Sequence, residues 1–169
     1  MRKLLWMAGG LALAGCTPEP RATAEVVDTN GQKVGTVTVV QRAHSVQIDV
    51  DVTGLTPGEH GIHLHEVGRC ETPDFTSAGA HFNPLDRTHG IRSPRGPHAG
   101  DMHNITADAS GRAQLSFNTA MVTLSEGESS LLDADGTALV IHADPDDNQT
   151  EPAGNSGARV ACGVLVREE

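Results

Sequence analysis

From Val46 to Val52 the chain alternates strictly: Val46, Ile48, Val50 and Val52 are apolar, and Gln47, Asp49 and Asp51 between them are polar. Successive side chains of an extended strand point to opposite faces, so this segment is predicted as a strand with one buried and one solvated face. The same texture continues on both sides. Ala24–Asp28 and Lys33–Arg42 flank Asn30-Gly31, a hairpin turn pair, and Val34, Val37, Val39 and Val40 load the second run with β-branched residues. Thr56-Pro57-Gly58 turns the chain into Glu59–His65. Further strands are predicted at His103–Ala107, Arg112–Asn118, Ala138–His142 and Ala158–Val166. Eight short strands joined by Gly-rich turns predict an all-β domain, a sandwich or a barrel. Beyond Trp6 the only aromatic residues are Phe75, Phe82 and Phe117, so the core is expected to be aliphatic.

Two stretches break the pattern. Glu66–Gly100 is rich in Pro and Gly and lacks periodicity, and Ala143–Gly157 is a second polar loop. Long irregular loops in a small domain are generally functional.

The first fifteen residues stand apart. Arg2 and Lys3 precede the apolar run Leu4–Leu13, which is too short to remain in a bilayer as a span. Leu13-Ala14-Gly15-Cys16 resembles a bacterial lipobox, the signal for attaching lipid to a cysteine. Residues 1–15 are therefore expected to be a lipoprotein signal peptide, 16–23 a lipidated tether and 24–169 the folded domain, in the cell envelope on the periplasmic side of the membrane or at the cell surface. Losing Arg2 and Lys3 takes the net charge from −10 to −12. So acidic a chain is expected to leave nucleic acid alone, because phosphate binding needs clustered Lys and Arg. With lipid on Cys16, Cys70 and Cys162 remain as an even pair. They form either a disulfide, the common outcome outside the cytoplasm, or two buried thiols.

Nine histidines are present, and most fall in the two loops or at strand ends. His63-Leu64-His65 ends a strand, and period two puts both rings on one face about 7 Å apart, within reach of one metal ion. The first loop holds His81, His89, His98 and Asp101, a donor set suited to tetrahedral zinc. His142 ends an apolar strand just before the second loop.

Four segments, Gly61-Ile62-His63-Leu64-His65-Glu66, Ala78-Gly79-Ala80-His81-Phe82-Asn83-Pro84, His98-Ala99-Gly100-Asp101 and Gly154-Asn155-Ser156-Gly157-Ala158-Arg159-Val160-Ala161-Cys162-Gly163, resemble the copper/zinc superoxide dismutase family, in its order and across nearly the whole domain. The resemblance implies an eight-stranded Greek-key β-barrel with two long functional loops, and one copper and one zinc per chain. It implies copper ligands His63, His65, His81 and His142, and zinc ligands His81, His89, His98 and Asp101, with His81 bridging the metals. It further implies that Asp146 links His63 to His89, that Cys70 and Cys162 are disulfide-bonded, that Arg159 guides the superoxide anion, and that His60 is structural. His44 and His103 match nothing functional, and Arg92 and Arg95 read as solvated loop charges. Ala153 stands where eukaryotic members carry a threonine, and the charged tail Arg167-Glu168-Glu169 lies near their dimer patch. Their dimer is therefore not expected here; the chain is expected as a monomer or a bacterial-type dimer. A copper-carrier role is disfavoured, because Cu(I) carriers use soft Met and Cys ligands and the domain has only Met102 and Met121.

Overall fold

Ten antiparallel strands make one continuous sheet in the computed structural model, which describes residues 19–169. The expected signal peptide, Cys16 and residues 17–18 of the tether lie outside the described residues. The strands are β1 (Arg21–Asp28), β2 (Lys33–Gln41), β3 (Val46–Val52), β4 (Gly58–His60), β5 (Ile62–His65), β6 (Ile105–Ala107), β7 (Ala113–Thr119), β8 (Ala138–His142), β9 (Arg159–Val164) and β10 (Val166–Arg167). Their spatial order is β4-β6-β7-β3-β2-β1-β9-β8-β5, with β10 beside β1. The two ends of that path, β4 and β5, are separated in sequence by Gly61 alone, so one chain segment serves both edges and nearly closes the barrel.

Each of the eight expected strands is present. The count rises to ten because Gly61 divides one of them into β4 and β5, and Leu165 divides another into β9 and β10. The first strand begins at Arg21 rather than Ala24, because Ala22 and Thr23 pair with Val39 and Thr38 on one side and with Arg167 and Val166 on the other. The last three residues assigned to the tether are thus part of the sheet. The sixth strand starts at Ile105, and Ala158 precedes β9 rather than opening it.

Alternation decides what is inside. Val46, Ile48, Val50 and Val52 of β3 are buried, as are Val37 and Val39 of β2, and the main core is aliphatic except for Phe82. Phe75 is fully buried in a second, smaller cluster with Ala78, Ala138, Val140 and Cys162. A third long connection, residues 120–137, had no expected role. Its Val122, Leu124 and Leu131 join the main core.

The two clusters lie on opposite faces of the same strands. Leu139 and Ile141 of β8 point into the barrel with Ile62 and Leu64 of β5, whereas Ala138 and Val140 point outward. By the same alternation His63, His65 and His142 point outward, toward the loops 66–104 and 143–158 that cover this face. A disulfide between Cys70 and Cys162, 92 residues apart, pins the first loop to β9. In the chain-entropy picture such a closure stabilises by about 4.6 kcal/mol.

Candidate metal centre

Three histidines reach the outer face from regular structure. His63 and His65 lie two apart on β5, opposite Val140 and Ala138, and His142 ends β8. The fourth, His81, comes from the first loop, tied to β5 by a backbone bridge to His65. All four are buried, and one nitrogen from each lies within 4.8 Å of the others. The remaining ring nitrogens are occupied. His65 Nδ1 donates to the Gly79 carbonyl at 3.0 Å and His142 Nδ1 to the Gly157 carbonyl at 3.3 Å. His63 Nε2 is 2.7 Å from Asp146 Oδ2. What is left over is His63 Nδ1 and the Nε2 atoms of His65, His81 and His142, all buried and without a hydrogen-bond partner among the described residues. Buried polar atoms in native proteins are nearly always satisfied, so four orphans converging on one point mark a place for a cation.

A second set sits beside the first and shares His81. His81, His89, His98 and Asp101 are buried, with donor atoms again within 4.8 Å of one another. Asp101 Oδ1 faces the three Nδ1 atoms, at 2.9 Å from His81, 3.2 Å from His89 and 3.4 Å from His98. Its Oδ2 is turned away and held by the backbone N–H groups of Gly90 (2.8 Å) and His98 (3.0 Å). Asp146 joins the sets from behind, one oxygen on His63 Nε2 and the other 3.0 Å from His89 Nε2. His63, His89 and Asp146 also cluster closely, but their facing atoms are already paired with each other, which makes this group a link and not a third site.

The copper/zinc superoxide dismutase family model matches residues 33–165. Superoxide dismutase [Cu-Zn] 1 of Aquifex aeolicus is 44% identical over 149 residues, 87% of this chain and 88% of that protein. Superoxide dismutase [Cu-Zn] of Caulobacter vibrioides is 47% identical over 147 residues, 85% of this chain and 84% of that one. The crystal structure of a SOD-like protein from Bacillus subtilis superposes with a TM-score of 0.82 at 38% identity, covering 85% of this chain and 97% of that one. The chain belongs to the copper/zinc superoxide dismutase family.

The donor chemistry fits the family's two metals. Four imidazoles suit a copper that changes oxidation state, and three imidazoles with one carboxylate suit closed tetrahedral zinc. Protonation follows the same division. Burial, and then the neighbouring His81, hold His65 down to about 2, while burial and His63 hold His142 down to about 3. Burial brings His81 to about 4 against the pull of Asp101. These rings are neutral at physiological pH and offer lone pairs. At the second set the carboxylates win. Burial disfavours the charged form of His89, but Asp101 and Asp146 outweigh it and raise this ring to about 9. Burial likewise opposes ionisation of Asp101 and Asp146, yet hydrogen bonds from the histidines hold both below the usual carboxylate range.

A cleft of about 300 Å³ leads to the imidazole set, lined by His65, Gly79, His81, His142, Pro152, Ala153 and Arg159. Arg159 is half-buried, and its guanidinium donates to the carbonyls of Phe75 and Gly79, each at 2.6 Å. The Gly79 carbonyl also accepts from His65 Nδ1, so one backbone oxygen registers the arginine against a ring of the imidazole set. Ala153, which stands where eukaryotic members carry a threonine, lines this cleft. Arg92 and Arg95 are exposed and do not line it. His60 is buried, its ring nitrogens 2.7 Å from the His142 carbonyl and 2.8 Å from the Thr56 carbonyl. His44 and His103 are exposed, His103 against the edge of Phe117.

Three residues that shape the centre had no expected role. Asn104 clamps the backbone of Asp146, accepting from its N–H at 2.9 Å and donating to its carbonyl at 3.0 Å. Asn148 donates its N–H to Asp146 Oδ1 at 2.6 Å, and Glu151 accepts the N–H of His89 at 2.7 Å. An asparagine ahead of a strand reads locally as a turn residue, and nothing short of the folded loops distinguishes these from ordinary polar loop positions.

Proposed function

We propose that the protein dismutes superoxide to dioxygen and hydrogen peroxide at this centre, as an exported lipoprotein of the cell envelope. The observation that carries the reading is the pair of four-donor sets sharing His81, with Arg159 lining the cleft that leads to the imidazole set. His63, His65, His81 and His142 would hold copper; His81, His89, His98 and Asp101 would hold zinc. Copper held there would supply one-electron redox chemistry for superoxide.

The chain's own groups do the rest. Arg159 keeps a permanent positive charge at the end of the cleft, fixed by two carbonyls, and draws a small anion toward an otherwise acidic protein. Local field, not net charge, governs this encounter. His81 Nδ1 is fixed on the Asp101 side while Nε2 faces the imidazole set, so the ring stays in register whether Nε2 carries a proton or a lone pair. Nε2 is therefore placed to take a proton and pass it to the reduced oxygen, with the second proton arriving from solvent through the cleft. Asp146 holds the His63 ring by its Nε2 and leaves Nδ1 free.

The envelope reading is supported by Leu13-Ala14-Gly15-Cys16. Because β1 starts at Arg21, four residues would separate a lipidated Cys16 from the barrel. Fully extended they reach only about 16 Å, which would keep the enzyme against the bilayer surface.

The decisive test is superoxide decay catalysed by the metal-loaded protein, abolished by a copper chelator and restored by copper. Protein that binds zinc but never copper would sink the proposal. Arg159→Ala should slow the reaction by an order of magnitude or more with both metals retained; loss of metal instead would mean the arginine is structural. Cys16→Ala should release the protein from membranes.

A further inference from the structure

The second loop meets the first at His89 and the residue after it. Asp146 Oδ1 lies 3.0 Å from His89 Nε2, and Glu151 Oε1 accepts the His89 backbone N–H at 2.7 Å. Beside them the Asn148 carbonyl accepts the Arg92 N–H at 3.3 Å. That carbonyl comes so close to Gly90 that a Cβ there would sit 2.1 Å from its oxygen, and Gly90 has φ +93°. Only glycine lets the loops approach this far. Asp146 belongs to the linkage between the donor sets. Glu151 is different: among the described residues its carboxylate meets a backbone amide and none of the metal-donor atoms.

The next two residues along the chain give that contact a consequence. Pro152 and Ala153 form one wall of the cleft, facing His65, His81, His142 and Arg159. The turn that carries them is closed by the Gly154 N–H donating to the Thr150 carbonyl at 2.7 Å, so residues 150–154 form one hydrogen-bonded turn. We propose that Glu151 is a positioning residue: its carboxylate ties the Pro152–Ala153 wall to the backbone of His89, so that the width of the anion path is set from the zinc side.

This role rests on the two-metal reading, and its two ingredients have opposite signs. Glu151 is exposed and negatively charged, so as a charge alone it repels an anion from the cleft. As a hydrogen-bond acceptor it holds the wall that shapes the cleft. Glu151→Gln keeps an acceptor oxygen and removes the charge; Glu151→Ala removes both.

Azide, a small anion, titrated into the copper- and zinc-loaded variants and read by its optical absorption at copper, separates the two. Glu151→Gln should bind azide as tightly as the unaltered protein or more tightly. Glu151→Ala should bind at least about threefold more weakly than Glu151→Gln, the order of one hydrogen bond's net worth. Amide hydrogen exchange of zinc-loaded protein should be faster in Glu151→Ala than in Glu151→Gln at His89 and at residues 153–156. Equal azide affinities and equal exchange in the two variants would overturn the proposal, leaving Glu151 as a charge and nothing more. Because the exchange comparison needs zinc only, it stands even for a protein that fails to take copper, so the two readings fail separately.

Discussion

The two donor sets differ in what holds them. Three members of the imidazole set stand on β5 and β8, neighbouring strands of a sheet whose inner face is the barrel core; only His81 comes from a loop. Every member of the carboxylate-containing set, the one proposed for zinc, lies in the first loop, among residues 81–101, which contain no regular strand. Strand-borne donors inherit their geometry from backbone ladders and aliphatic packing. Loop-borne donors depend on individual side-chain hydrogen bonds: Asp101 on two backbone N–H groups, and His89 on Glu151 and on Asp146, which is itself held by Asn104 and Asn148. One site is built by the fold. The other must help build the loop that contains it.

The sharpest way to break this contrast is to remove the zinc set's carboxylate. Asp101→Ala leaves three buried histidines without their common partner and frees two backbone N–H groups. Zinc affinity should fall by 100-fold or more, the upper end of the range for disturbing a metal's supporting ligands. Hydrogen exchange should rise across residues 83–97 and 146–154, with β5 and β8 unchanged. Equal loosening of β5 would show that the strands depend on the loop as well.

Acidity probes the same difference in metal-free protein. His65, His81 and His142, held to about 2, 4 and 3, stay neutral in the folded state while their unfolded forms protonate near 6.5. Below that value the unfolded chain binds more protons, so stability falls as pH drops from 6.5 toward 4. His89, raised to about 9, acts in the opposite sense: its contribution is complete below 6.5 and is lost as pH rises through 9. Asp101 and Asp146, both held low, contribute stability above the ordinary carboxylate value and lose it in acid. Thermal unfolding of chelator-treated protein should therefore peak near pH 6.5 and decline on both sides, more steeply in acid. A midpoint that keeps rising from pH 6.5 to 9 would mean that His89 is not charged in the folded protein.

The same division explains what could be read from the sequence. Period two sufficed for the strands, because Val46–Val52 or Ile62–His65 leaves one choice of buried face, and it placed His63 and His65 together on the other. The pairing of Cys70 with Cys162 was already limited by their number. The starts of β1 and β6 were not legible, since Arg21–Thr23 joins the sheet through partners on β2 and β10 that lie far along the chain. The loop donors His81, His89, His98 and Asp101 were legible as a set only through family resemblance, because their spacing matches no local motif. Residues such as Asn104 and Glu151 act through backbone atoms more than 40 positions away, and no short-range pattern encodes that.

Asp146→Asn should give an intermediate effect. An amide keeps one acceptor for a ring N–H but loses the charge that orders two, so zinc affinity should fall about 10- to 100-fold, with copper less affected because His63 remains on its strand. Isothermal titration with each metal separately would measure this, and an equal loss for both would erase the distinction between strand-borne and loop-borne donors.

The smallest effect belongs to Asn104, and it is the most specific. The residue sits just before β6 and uses both ends of its amide on the backbone of Asp146, so it fastens the second loop to the barrel without touching either donor set. Two net hydrogen bonds of ordinary strength set the cost of Asn104→Ala at about 1–3 kcal/mol. Both metals should still bind, and the thermal midpoint should drop by several degrees. Glu151→Ala removes one tie between the second loop and the first, and Asn104→Ala removes one between the second loop and the barrel. If the loop is held at both points together, the double variant should loosen residues 146–154 by more than the two single losses predict; simple additivity would mean that each end is held independently.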